Sequence, residues 1–117
     1  MPQPGTVFQL VGDGHHFWIV ISPVRNGNVL AVNITDVKHS PDSTCKLNVG
    51  DHPGITKSSV AYYRKAREFD EQAIDREIQA GLAVRQLPDC RPAVLQRIIN
   101  GAIIADDLTC RFLEYLR

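Results

Sequence analysis

At 117 residues, with 13 Lys plus Arg set against 13 Asp plus Glu and a formal net charge of +0, the chain has room for one domain with a substantial core and not for two ordinary ones. The charge balance removes the strongest electrostatic sign of a dedicated duplex-binding surface, which is normally visibly basic, but leaves room for a local basic cleft. Three cysteines, Cys45, Cys90 and Cys110, are widely spaced without a C-x-x-C pair, and the odd number argues against a disulfide framework or a structural zinc knuckle.

Thr6 to Val11 favour a first strand, which Gly12-Asp-Gly14 breaks. The next run, Phe17 to Ser22, holds no charge, and its β-branched and aromatic content fits a strand buried on both faces or curled into a small barrel. Pro23 stops it, and Asn26-Gly27 suits a tight turn with positive φ before Val29 to Thr35 returns antiparallel. Thr44 to Asn48 alternate weakly as a fourth strand. Ser58 to Tyr63 supply a fifth, with Gly50-Asp-His-Pro-Gly54 between them as a loop. Five short strands without an intervening helix imply a small barrel or half-barrel.

After Arg67 the period changes. Asp70 can cap a helix with Ala73, Ile74 and Ile78 at helical spacing, and Gly81 is placed to end it. A second helix is predicted from Pro92, with Val94, Leu95, Ile98 and Ile99 on one face before Gly101. Asp106 is placed to cap a third through Leu108, Phe112 and Leu116. Four acids and four bases lie in residues 1 to 60 and nine of each in the remainder, so the second half reads as solvated helix. The fold expected is α+β, one domain over 1–117: a barrel of about five antiparallel strands with two to three C-terminal helices packed on it. No apolar stretch approaches membrane-spanning length, and the first five residues lack signal-peptide character, which points to a cytoplasmic protein without a membrane partner.

Several polar residues sit where chemistry is possible. His15 and His16 open the apolar Phe17 strand, and an imidazole there can move a proton near neutral pH. Adjacent strand residues face opposite ways, so only one of the two lines a given cleft, and two plain surface histidines also fit. Thr35 ends the third strand, where its hydroxyl can hydrogen-bond an anionic oxygen or simply satisfy a turn, as can Asp36. Asp51-His52-Pro53-Gly54, with Lys57 close behind, describes either a ligand-holding loop or an ordinary turn. Tyr62, Tyr63, Arg64, Lys65 and Arg67 combine rings with positive charge in a way that suits a single nucleic-acid strand, or a strand end with a snorkelling basic rim. Zinc through His16, Cys45 and His52 matches no recognised ligand spacing, and no cofactor is implied.

The segments Gly5-Thr-Val-Phe-Gln-Leu10, Gly14-His-His-Phe-Trp-Ile-Val-Ile-Ser-Pro23, Val29-Leu-Ala-Val-Asn-Ile-Thr35 and Lys57-Ser-Ser-Val-Ala-Tyr62 resemble, in order and shape, the MazF/PemK family of bacterial toxins. The likeness spans most of residues 5 to 85. It implies an SH3-like barrel and a type II toxin that cleaves single-stranded RNA without a metal. The toxin would be a homodimer held in check by a small antitoxin protein. The family's catalytic Arg falls at His16, and its Thr is matched by Thr35. His16 would then serve as general acid or base, Thr35 would bond the phosphate oxygens, and Lys57 would offset developing charge, with His15, His52, Tyr62 and Arg64 as further substrate contacts. Replacement of the Arg by His16 equally fits a noncatalytic barrel that binds a peptide, a protein or nucleic acid. A hydrolase or metal enzyme built on His15, Asp51 and His52 is the third reading.

Overall fold

A computed structural model describes residues 2–12, 16–39, 43–81, 84–105 and 108–116. Strands β1 (Val7–Leu10), β2 (Phe17–Val20) and β3 (Asn28–Asp36) follow the expected order, then β4 (Lys46–Leu47) and β5 (Ser59–Asp70). Helix α1 (Glu71–Ala80) precedes a sixth strand, β6 (Val84–Leu87), and helices α2 (Pro92–Ile104) and α3 (Cys110–Leu113) close the chain with a 3-10 turn at Glu114–Leu116. The six strands form one antiparallel sheet in the order β4-β5-β3-β2-β1-β6. It curls into a half-barrel carrying three helices, so the architecture is α+β.

Local chemistry explains the β2–β3 hairpin and helix α1. Asn26 and Gly27 take φ of 53° and 81°, the left-handed pair that a two-residue hairpin turn requires. Arg25 and Asn28 exchange backbone hydrogen bonds of 2.8 and 3.0 Å across it. The Asp70 carboxylate accepts from the backbone N–H of Gln72 and Ala73 at 2.9 and 3.0 Å, which satisfies two of the open donors at the start of α1. Gly81, at φ 68°, ends that helix in a left-handed cap.

The curl comes from β5. Between the pairs Asn33–Tyr62 and Ala31–Arg67, β5 advances by five residues while β3 advances by two. Surplus residues on one strand bend it and raise its twist. The sheet is therefore covered on both sides. On one face Ile19, Ile21, Leu30, Val32, Ile34 and Tyr63 pack with Val94, Ile98 and Ala102 of α2. On the other, Phe8, Trp18, Val20, Val29, Ala31 and Phe69 pack with Ile74 of α1.

Three expectations are corrected. The sheet has six strands rather than about five, because Val84–Leu87 pairs with the open edge of β1. Val84 and Leu87 do not alternate like a half-buried strand, and only the unpaired backbone of β1 gives them a place. Helix α2 does not stop before Gly101 but runs through it. A side chain there would overlap the Tyr63 hydroxyl and approach the Cys45 Cβ to 3.1 Å, so Gly101 serves close packing rather than termination. The last helix starts after Thr109, whose hydroxyl accepts from the Phe112 N–H at 3.4 Å; Asp106 lies outside the described residues. Among the described residues, no helix is long and apolar enough to cross a membrane.

Tyr63 is 1% exposed and donates a 2.7 Å hydrogen bond to the Ile98 carbonyl. Gly101→Ala is therefore expected to push α2 off the sheet and cost roughly 1–3 kcal/mol. A urea-unfolding midpoint unchanged from wild type would show that the helix yields without cost.

Candidate functional site

The antiparallel register of β2 and β3 sets Phe17 opposite Ile34 and Trp18 opposite Asn33. Continued one step past the ladder, the same register brings His16 opposite Thr35. On the far side of β3, Thr35 pairs with Val60 and Asn33 with Tyr62 of β5. By strand alternation, Trp18, Asn33 and Thr35 share the face that α1 covers further along. Two cross-strand rows result at one end of the sheet, His16–Thr35–Val60 and Trp18–Asn33–Tyr62.

His16 is half-buried, and its backbone carbonyl accepts a 3.3 Å hydrogen bond from the Gln9 carboxamide on β1. Thr35 is only 5% exposed, so its hydroxyl meets a phosphate only if neighbouring side chains move. Beyond it, Lys57 reaches the Asp36 carboxylate at 3.5 Å, and the second Asp36 oxygen accepts from the Lys38 N–H at 2.9 Å. The Lys57 side chain is 68% exposed, so the pair contributes little to stability. The structure thus brings His16, Thr35 and Lys57 to one end of the sheet. His15 lies outside the described residues.

Tyr62 is half-buried with the Lys65 ammonium 5.6 Å from its ring centre. Arg64 is exposed on the bulged part of β5. Arg67 lies over the rings of Trp18 and Phe69 at 5.7 and 4.5 Å, a cation–π arrangement that holds the guanidinium against the sheet. Tyr63 alternates away from this group into the core under α2. A basic and aromatic edge therefore runs beside the His16 end.

His52 is a structural residue. It is 2% exposed and stacks on Phe17 at 5.2 Å. Nδ1 accepts from the Gly54 N–H at 2.9 Å, and Nε2 donates to the Pro88 carbonyl at 2.6 Å. Both ring nitrogens are engaged, which fixes the neutral tautomer and leaves no lone pair for a metal or substrate. Asp51 is likewise occupied: it accepts from the Asn48 N–H at 2.8 Å and faces Arg97 and Arg91 at 3.3 and 3.9 Å. The hydrolase reading built on this pair loses its working groups. No group of three His, Cys, Asp or Glu among the described residues could hold a metal ion.

No family model matches the chain, and no curated protein matches its sequence. The site therefore rests on its own geometry. Sequence reasoning missed Gln9 and Asn33; the signal for each was a polar side chain inside an otherwise apolar strand.

Cys90 is buried, and that burial pushes its thiol from 9.0 up to about 11. Because only the thiolate attacks disulfide reagents, an aromatic disulfide at neutral pH is expected to label exposed Cys110 first and Cys90 only after unfolding. The same shift favours the folded state while the thiol is protonated. Its contribution is complete below 9.0 and lost as pH rises through about 11. Equal alkaline loss of stability in wild type and Cys90→Ala would count against this. His52→Ala is expected to cost roughly 2–4 kcal/mol through a cavity and two lost hydrogen bonds. His16→Ala should stay within about 0.5 kcal/mol of wild type. Denaturation of both variants checks the contrast.

Proposed function

We propose that this chain is a MazF/PemK-like toxin with an SH3-like barrel, acting as a metal-independent endoribonuclease on single-stranded RNA. The observation that supports the reading is the β2–β3 register, which, continued one step past Phe17–Ile34, brings His16 opposite Thr35 at the strand end where Lys57 pairs with Asp36. A ribose 2′-hydroxyl attacks its own 3′-phosphate, the P–O5′ bond breaks, and a 2′,3′-cyclic phosphate and a 5′-hydroxyl result. His16 takes the 2′-proton or delivers one to the departing 5′-oxygen. The Thr35 hydroxyl and the Lys57 ammonium stabilise the charge that develops on the phosphate oxygens. Tyr62, Arg64 and Arg67 bind the flanking strand by stacking and phosphate contact. A homodimer controlled by an antitoxin protein in the cytoplasm is part of the same proposal.

The burial of Thr35 favours a second reading, a noncatalytic module that holds nucleic acid or a protein along the exposed Arg64 and Lys65 edge. Incubation with single-stranded RNA in chelator separates the two. The nuclease reading expects cleavage that falls by roughly 100-fold or more in His16→Ala and about tenfold in Thr35→Val, with the fold intact by circular dichroism. Wild-type rates in both variants would remove the residue assignment. Binding without cleavage would establish the module instead.

A further inference from the structure

A cleft of about 260 Å³ opens on the α2 side of the sheet, next to the His16 end and outside the two cross-strand rows. Phe17 and His52 form its floor, exposed Pro53 and Pro88 line it, and Gln9 and Thr56 supply its polar side chains. Gly54 leaves the floor close-packed: a Cβ there would lie 3.1 Å from both the Phe17 ring and His52 Nδ1, a tight approach.

The lining decides what class of ligand fits. Apart from His52, whose nitrogens are both engaged, the described lining residues carry no ionisable group. An anion or a cation would therefore enter without a counter-charge, which is costly in a largely apolar site. The volume lies just below the range usual for drug-sized ligands, which suits a single ring system. A floor made by the stacked Phe17–His52 pair, walled by Pro53, Pro88 and Leu87 with one carboxamide and one hydroxyl, matches a neutral, planar heterocycle read along a hydrogen-bonding edge. Nucleobases have this chemistry: they stack on such side chains, and carboxamides pair with their edges.

The cleft is also joined to the candidate catalytic end. Gln9 donates to the His16 carbonyl, and Phe17 is the next residue along β2. Because successive strand residues face opposite sides, a strand draped over this end would meet His16 from one side and the cleft from the other. We propose that the cleft is a base-selective pocket receiving one unstacked nucleobase of single-stranded RNA beside the His16 end. This rests on the nuclease reading for the identity of the strand.

The experiment is a titration of isotopically labelled protein, followed by NMR, with the four free nucleosides and with tetranucleotides made noncleavable by 2′-deoxy substitution. The pocket predicts saturable shifts at the Gln9 carboxamide, Gly54 and Thr56, with one base favoured in the oligonucleotides. Gln9→Leu should weaken that binding about tenfold, and Thr56→Trp, at an exposed position, should block it while leaving the spectrum of the folded core in place. Silence at those three residues with every probe, or unchanged affinity in both variants, would overturn the proposal. So would binding of free nucleosides together with exclusion of oligonucleotides. The two readings fail separately: RNA cleavage with a silent pocket removes the pocket alone, and oligonucleotide binding in the pocket without cleavage of ordinary RNA removes the nuclease alone.

Discussion

The bend of β5 across β3 is the constraint on which the rest of the molecule depends. A twelve-residue strand that kept a regular ladder along its nine-residue partner would have the ordinary sheet twist without this bend. The surplus residues between Tyr62 and Arg67 instead turn its two halves apart. The first half carries Tyr63 under α2, and the second carries Phe69 under Trp18 and Phe8, with ring centres 5.1 and 5.0 Å away. Both faces of β3 are consequently buried from Val29 to Thr35. Two apolar clusters form where a simple hairpin sheet would have only one.

Burial on both faces raises the cost of every polar side chain in the central strands, because an unpartnered buried polar group costs about 1–3 kcal/mol. Ser22 shows one solution: its hydroxyl accepts from the Leu30 N–H and donates to the Pro23 carbonyl, both at 2.9 Å. His52 shows another, with one nitrogen accepting and the other donating to backbone across 36 residues of chain. These groups hold loops to the sheet and have no capacity left for chemistry. His16, half-buried at the start of β2, stands in a different environment. That contrast separates the histidines more sharply than their identity as titratable residues does.

Charge plays a secondary, positioning part. Arg91 and Arg97 draw α2 to the loop before β5 through Asp51, and Arg97 also donates to the Lys46 carbonyl at 2.8 Å. At the other end of β5, Glu68 accepts from Arg111 and Tyr115. Burial, followed by that contact with Glu68, pushes the Tyr115 phenol above its ordinary value. The arginines of these pairs are largely exposed, so their worth lies in fixing where the helices sit, while the apolar clusters supply the stability.

Sequence alone determined the elements whose cause is local. Alternation and β-branching marked the first three strands, Asn26-Gly27 marked their hairpin, and Asp70 and Gly81 bounded α1, because each signal lies within a few residues of what it specifies. The candidate site was legible as residue types at strand ends, and the hairpin turn already implied that the ends of β2 and β3 meet. Only the tertiary structure decided the rest. Val84–Leu87 became a strand because β1 had an open edge. Gly101 became a packing residue because Tyr63 crosses above it, and His52 became a core tie because Pro88 and Gly54 close on its two nitrogens. Those partners come from distant parts of the chain, and no local pattern encodes them.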